Sequence, residues 1–355
     1  MDDLDEIASL RDEFRLNEGE IYLDGNSLGP VGEASRRRVT EVIDVEWARG
    51  LVRSWNSAGW MAEPTRLGDK LAPLIGARPG EVLVADTLTF LLAKLVGGAL
   101  ELKKDRHVVL TDVANFHSDL YIVEAMAARA GRPVTVKVIN RNALDDALDD
   151  DVALVMLTHV DFRTGEMLDM AGITKKAHAA GALMLWDFAH STGAVPLDVT
   201  GCDVDFAAGC GYKYLNGGPG APAFLYVRER WQGVLENPLP GWLGHVRPFD
   251  FELRYEPAEG MQAFVTSSPS MIALASLDGA LDLFERVTMD QILVDVSGVP
   301  AAQVEDEVVL IGRQIKETIT ADELATWGNT ISYEILTAIS ARVPRIYNNW
   351  KMKHS

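Results

Sequence analysis

Lys213 stands in G-C-G-Y-K-Y-L-N-G-G-P-G (209–220), a lysine amine set among aromatics and glycines. Upstream, the apolar run L-M-L-W-D ends in Asp187, and His190 follows three residues later. Pyridoxal phosphate needs a lysine amine for its Schiff base and a carboxylate partner for its pyridinium nitrogen. Taken singly, a W-D pair reads as a helix cap and a Y-K pair as a surface lysine. Both in this order, ahead of a Gly-rich tail, point to the cofactor.

Other clusters could complete such a site. D-T-L-T (86–89) precedes a helix beginning near Phe90. Threonine and backbone N–H groups at a helix N-terminus form a phosphate cup, aided by the helix dipole. The same four residues also read as an ordinary capping box. N-G-G-P-G after Lys213 lacks the spacing of a nucleotide P-loop and reads as a turn that lets backbone pass close to a cofactor. His190 is either a pocket donor or a structural histidine. Phe116 either stacks on a pyridine ring or belongs to the core.

The elements that must position these groups follow from periodicity. Apolar strands are expected at 82–85, 107–111, 135–139, 152–158, 183–186, 206–208 and 223–227, with helices between most of them, as at 90–102, 119–130 and 171–180. This alternation implies an α/β domain around a largely parallel, seven-stranded sheet. Ligands in such sheets sit at the carboxyl ends of the strands. There D-T-L-T, N-F-H-S-D (115–119), T-H-V-D-F-R-T-G (158–165) and D-F-A-H (187–190) would converge on one pocket. Ahead of this domain, 4–16 reads as a short amphipathic helix and 21–30 as a short strand followed by a polar Gly-rich turn. Residues 31–50 have helical periodicity and 51–60 read as an aromatic-polar loop. Past residue 286 the alternation of β-branched and polar residues at 287–300 and 306–314 suggests antiparallel strands. A Thr-capped helix is expected from 320 and a closing strand at 342–347. The expected division is 1–60, an N-terminal segment with a substrate-lining loop; 61–285, the cofactor-binding domain; and 286–355, a β-rich tail.

Bulk properties narrow the function. The chain has 355 residues, 48% hydrophobic and 24% charged, enough for two domains with a sizeable core. A net charge of −19 argues against nucleic-acid or anionic-membrane partners. Cys202 and Cys210 give neither a disulfide framework nor a metal spacing. The acidic start lacks the features of a signal peptide, and no run reaches the ~18 apolar residues of a membrane span, so a cytoplasmic protein is expected.

Over about residues 15–286 the chain resembles kynureninase, a fold type I pyridoxal phosphate hydrolase. The motifs are Y-L-D-G-N-S-L-G-P, N-F-H-S-D-L-Y, T-H-V-D-F-R-T-G, W-D-F-A-H-S-T-G-A-V-P, G-Y-K-Y-L-N-G-G-P-G-A-P-A-F-L-Y-V and G-W-L-G-H. The resemblance implies that Lys213 carries the cofactor and Asp187 pairs with its ring nitrogen, with Asp119 beside them. Phe116 would stack on the ring, and Leu88 and Thr89 would hold the phosphate. Tyr212 and His190 would serve the phosphate side, as would Trp242 from a partner subunit. Tyr212 is also the implied proton donor. Ser268 stands where the family has Thr or Asn. Ser27 and Trp55 would line the aryl side of the substrate. The implied enzyme is a homodimer with its pocket at the interface. It would hydrolyse the Cβ–Cγ bond of L-kynurenine, or its 3-hydroxy form, to (3-hydroxy)anthranilate and L-alanine, in tryptophan catabolism and NAD biosynthesis.

The pattern breaks in four places. The family's V-N after the phosphate loop is Phe90-Leu91, its Pro in N-F-P is His117, and its Asn before Y/F-R-T-G is Asp161. The largest departure is the tail. Residues from about 286 to 347 resemble the C-terminal end of bacterial alanine racemase, where kynureninase would supply an arginine for the substrate carboxylate. None of Arg313, Arg342 and Arg345 sits in a kynureninase-like motif, and the racemase barrel is missing. Met289–Gln291 and Tyr347, which resemble racemase site residues, are therefore assigned no role. The chain reads as a chimera, which leaves two alternatives: a cofactor-binding shell without turnover, or a related fold type I lyase such as a cysteine desulfurase. The latter needs a nucleophilic cysteine well after the lysine, and both cysteines precede it.

Overall fold

The computed structural model describes residues 8–17, 22–284 and two short strands at 312–314 and 317–319. Seven apolar runs become β1 (Val82–Ala85), β2 (Val108–Asp112), β3 (Thr135–Ile139), β4 (Val152–Thr158), β5 (Leu183–Asp187), β6 (Phe206–Gly209) and β7 (Ala223–Val227). They form one sheet in the order β1-β7-β6-β5-β4-β2-β3. β2 to β6 pair in parallel, while β7 runs antiparallel to both its neighbours. β1 is thereby parallel to β6, so the carboxyl ends of β1, β2, β4, β5 and β6 share one edge.

Continuous apolar strands need cover on both faces, and both are covered. Val84, Val155, Met184, Trp186 and Phe224 point into one core; their alternating neighbours Leu83, Leu154, Leu185, Phe206 and Leu225 point into the other. The second core takes the buried face of α4 (Leu88–Leu102), which carries Leu91, Leu92, Leu95 and Val96. The first takes α3 (Glu63–Leu71) and α8 (Met271–Leu281) through Leu67, Leu71, Leu274 and Leu277. α5 (His117–Ala127) and α7 (Met170–Ala179) connect β2 to β3 and β4 to β5.

The N-terminal region departs from the expectations. Of the helix expected at 4–16, the described part is a 3-10 turn, Ala8–Glu13. No strand forms over Tyr22–Asp24: the Tyr22 hydroxyl donates to the Leu28 carbonyl at 2.6 Å, and the segment folds back as a turn. The helix expected at 31–50 is α1 (Glu33–Glu41), continued by a π-helical stretch, Val42–Gly50. The segment expected as a loop is helical at Leu51–Arg53 and in α2 (Ser54–Ser57). It is anchored by Trp60 Nε1 on Glu46 Oε2 at 2.6 Å and by Ser54 Oγ on the Glu46 carbonyl at 2.6 Å. In the tail, β8 (Gly312–Gln314) pairs antiparallel with β9 (Glu317–Ile319), at the end of one expected strand. The strands expected at 287–300 and 342–347 and the helix from 320 lie outside the described residues.

Gly68 sets the approach of α3 to β1: a Cβ there would lie 2.0 Å from the Val82 carbonyl oxygen. Backbone on both sides leaves no side chain that could give way. Gly68→Val is expected to cost about 3 kcal/mol, measured as a lower urea midpoint at unchanged slope.

Candidate active site

Five strand ends deliver one cleft of about 370 Å³. From β1 and the start of α4 come Thr87, Leu88 and Thr89; from β2 and the start of α5 come Phe116 and Asp119. β4 leads to Phe162, β5 to Asp187 and His190, and β6 to Cys210, Tyr212 and Lys213. The N-terminal turn adds Asn26 and Ser27. That turn lies against the lysine loop: the Gly29 N–H donates to the Tyr212 carbonyl at 2.9 Å. Any Cβ at Gly29 would lie 2.3 Å from the Lys213 carbonyl oxygen.

Asp187 is 2% exposed and Asp119 is 1% exposed. The Thr158 hydroxyl donates to Asp187 Oδ2 at 2.8 Å and the Ala189 N–H to Oδ1 at 2.8 Å. Burial raises the pKa of both carboxyls, and the Asp187 charge raises that of Asp119 further. Asp187 is pulled back by the Ala189 N–H, the Lys213 charge and Thr158, while Asp119 is held well above the usual carboxylate range. Asp119 Oδ2 is buried without a hydrogen-bond partner. Two buried carboxyls with an orphaned oxygen form an acceptor set wanting a cationic N–H, which a pyridinium nitrogen supplies.

Lys213 Nζ lies 2.8 Å from His190 Nε2. Burial, and then the Lys213 charge, push the His190 pKa down to about 3, so its ring is neutral. Its Nδ1 is buried without a partner. Tyr212 carries Lys213 Nζ 5.8 Å from its ring centroid, and burial raises its phenol pKa. Cys210 lies beside that phenol, and burial lifts its thiol to about 11.

One wall is aromatic. Phe116 meets Phe162 edge-on at 5.2 Å, and Phe162 stacks on His190 at 6.1 Å. Two departures from the kynureninase pattern have partners here. His117, where the pattern has proline, occupies the first position of α5, which proline suits, and packs on Phe116 at 4.2 Å. Asp161, where the pattern has asparagine, accepts from the Arg163 N–H at 2.8 Å and pairs with Arg141 at 3.1 Å. Arg141 also holds Asp112 at 2.9 Å and Glu166 at 2.7 Å, binding the loops after β2 and β4 together.

The cup at 86–89 does not form the alternative capping box: Thr87 is the N-cap of α4 and no side chain caps the helix. Its leading N–H groups stay open beside Thr89. Ser27, Leu88, Thr89, Phe116, Asp119, Asp187, His190, Tyr212 and Lys213 are thus brought together. Trp55, Trp242 and Ser268 are not among the cleft residues. Trp55 packs edge-on against Trp60 at 5.7 Å in a satellite cluster with Val42. Trp242 is 39% exposed, and Ser268 lies on the surface. Reading the sequence placed Thr158 and Phe162 in a pocket cluster without giving either a role, and it missed Arg141 and Lys94. Only Lys94 left a signal, as a lone charge in L-L-A-K-L-V. Among the described residues no cluster could hold a metal ion.

Two family models match the chain: aminotransferase class-V over residues 55–297 and the alanine racemase C-terminal domain over 266–347. The chain is 47% identical over 293 residues to a kynureninase of Burkholderia pseudomallei (strain 1106a), covering 81% of this chain and 70% of that one. It is 45% identical over 294 residues to the kynureninase of Pseudomonas fluorescens, covering 81% and 71%. Among solved structures, a C-DES mutant with glycine covalently linked to its pyridoxal phosphate matches with a TM-score of 0.68 at 23% identity, covering 78% and 74%. A cysteine desulfurase from Thermococcus onnurineus matches at 0.67 and 22%, covering 78% and 70%. At such identities these two structures show the shared fold.

The buried groups give cofactor-free protein opposing pH dependences. His190, near 3, and His159, pushed down to about 4 by burial, refuse protons that the unfolded chain accepts below about 6.5. Their stabilisation is present above pH 6.5 and lost as pH falls toward 3. Asp119, raised by burial, does the reverse and destabilises as pH climbs above 3.8. In unfolding free energy measured from pH 4 to 6.5, His190→Gln should flatten the rise with pH by about one proton. Asp119→Asn should steepen it.

Proposed function

The chain belongs to the kynureninase family, pyridoxal phosphate-dependent hydrolases acting on carbon–carbon bonds, and from that premise we propose that it cleaves the Cβ–Cγ bond of L-kynurenine. The products would be anthranilate and L-alanine, and the 3-hydroxy substrate would be handled in the same way. The observation that carries this is the pairing, in one cleft, of the Lys213–His190 contact at 2.8 Å with the buried Asp119–Asp187 pair.

Bound pyridoxal phosphate supplies the electron sink that makes the substrate's α-proton removable. Asp187, with Asp119 beside it, would hold the ring N–H; Leu88 and Thr89, at the open start of α4, would take the phosphate. Phe116 would cover the ring, its edge fixed by Phe162. The Lys213 amine removes and returns protons at the α-carbon, and neutral His190 gives it a partner without adding charge. Water adds to the γ-carbonyl, and the Cβ–Cγ bond then breaks with its electron pair left on the β-carbon. Tyr212, held protonated by burial, would donate the proton that this carbon takes. Ser27 faces the aryl group, and a neutral phenol and hydroxyl suit an uncharged aryl ketone. Trp242, exposed in one copy, would reach the phosphate side of a second copy, making the enzyme a homodimer. We place it in the cytoplasm, in tryptophan breakdown; among the described residues no helix is long and apolar enough to cross a membrane.

One observation favours a second reading. Residues 266–347 match a racemase domain where the family would continue with its own small domain, so the chain could be a chimera that binds cofactor without turnover. The desulfurase reading fails on chemistry. Cys210 is buried with its thiol pushed up to about 11, and Cys202 is likewise raised by burial, so neither is an accessible thiolate.

Purified protein mixed with pyridoxal phosphate should show the visible absorbance of lysine-bound cofactor, and L-kynurenine should then yield anthranilate fluorescence. Lys213→Ala should abolish both signals. Tyr212→Phe should keep the absorbance and lower kcat by about 10²–10³-fold. Absorbance without anthranilate in the unsubstituted protein would favour the inert shell. No absorbance at all would overturn the site.

A further inference from the structure

We infer that Lys94 is a positioning residue for the cofactor's phosphate: it holds the Asp86 carboxylate away from the open N-terminus of α4. This rests on the reading of 86–89 as the phosphate cup, with Thr87, Leu88 and Thr89 as the residues of it that line the cleft.

Lys94 is fully buried, in a helix whose neighbouring residues are Leu91, Leu92, Ala93, Leu95 and Val96. Leucine or methionine would fill such a position without desolvating an ammonium. Its Nζ donates to Asp86 Oδ2 at 2.5 Å and to the Phe264 carbonyl at 2.6 Å. Lysine side chains on a helix lean toward its N-terminus, so a residue two turns along can reach back to the helix entrance.

Asp86 needs such a partner. It follows β1 and directly precedes Thr87, the N-cap of α4, with a left-handed backbone of φ +48. Its carbonyl is fixed by the Ala223 N–H at 3.1 Å. Aspartate is among the side chains best suited to accept the first N–H groups of a helix, and the helix dipole favours a negative charge there. Yet no side chain caps α4. The carboxylate that could compete with a phosphate for those N–H groups is turned onto Lys94 instead. The same ammonium anchors Phe264, 1% exposed, at the head of the 264–268 segment that ends in Ser268. Lys94 thereby keeps the cup both open and electrically receptive, without lining the cleft itself.

Pyridoxal, which lacks the phosphate, separates this role from general stability. Equilibrium binding of pyridoxal phosphate and pyridoxal to the full chain would be followed by absorbance. Lys94→Met should weaken pyridoxal phosphate at least tenfold and pyridoxal less than twofold. Adding Asp86→Gly, which suits the left-handed backbone and removes the competing carboxylate, should bring pyridoxal phosphate back to within threefold of the unsubstituted chain. Unchanged binding by Lys94→Met, or an equal loss of both ligands, would overturn the inference. Should Lys94→Met not fold, the double variant carries no unpaired buried charge, and a tenfold loss in it would be equally decisive against the role. If the unsubstituted chain binds pyridoxal as tightly as pyridoxal phosphate, the cup reading fails, whatever Lys94 does.

Discussion

A buried carboxylate at the end of β5 is the constraint around which this protein is arranged. Asp187 sits in a setting that penalises its charge, and the neighbouring groups are what make that charge tolerable. Thr158, at the end of the adjacent strand β4, donates its hydroxyl, and the Ala189 N–H donates from the turn beyond β5. Asp119 comes from a third strand loop, and burial together with the Asp187 charge raises its pKa, because two close carboxylates do not both ionise readily out of water. Each of these partners exists only because parallel strands end at one edge. The site is the place where the sheet's topology meets a single unsolved electrostatic problem.

The same logic of buried charge recurs at the two lysines. Lys213 is met by a histidine that burial keeps neutral, so the contact sets no second charge beside the amine. Lys94 is met by a carboxylate and a carbonyl, which fix it. Burial pulls the Lys94 pKa down while Asp86 opposes it, the pattern of a structural ion pair. One lysine meets a single neutral ring nitrogen and the other is held by two oxygens. Aromatic packing does the remaining positioning: Phe116, Phe162 and His190 form a wall whose members brace one another.

Two family models also meet along the chain. The class-V aminotransferase match runs to residue 297 and the racemase match begins at 266, so they overlap across α8. α8 belongs to the core of the first family's domain through Leu274, Leu277 and Leu281. Gly279 lets it approach α1 closely, since a Cβ there would lie 2.6 Å from the Ala34 backbone. Among the described residues, α8 thus completes the core on one face of the sheet, and the cleft residues all lie between 26 and 213.

The sequence by itself determined the sheet, its helices and the cofactor. Near-continuous apolar strands can be satisfied only between two helical layers, and a lysine and an aspartate in this order suit one cofactor chemistry. It also marked the loops that carry Asp119, Phe116, His190 and Tyr212, because polar clusters after buried strands must gather at one edge. What it left open depended on distances between residues far apart in the chain. Whether 86–89 capped its own helix or stayed open turned on Lys94, whose partners come from two other segments. Trp55 reads as a binding aromatic in sequence, yet its ring is held by Trp60 in a side cluster. Asp161 and His117 read as departures until Arg141 and Phe116 supply their partners. Periodicity reports which faces are buried; only tertiary structure decides which buried charges meet, because the energy of a buried charge depends on the few ångströms around it.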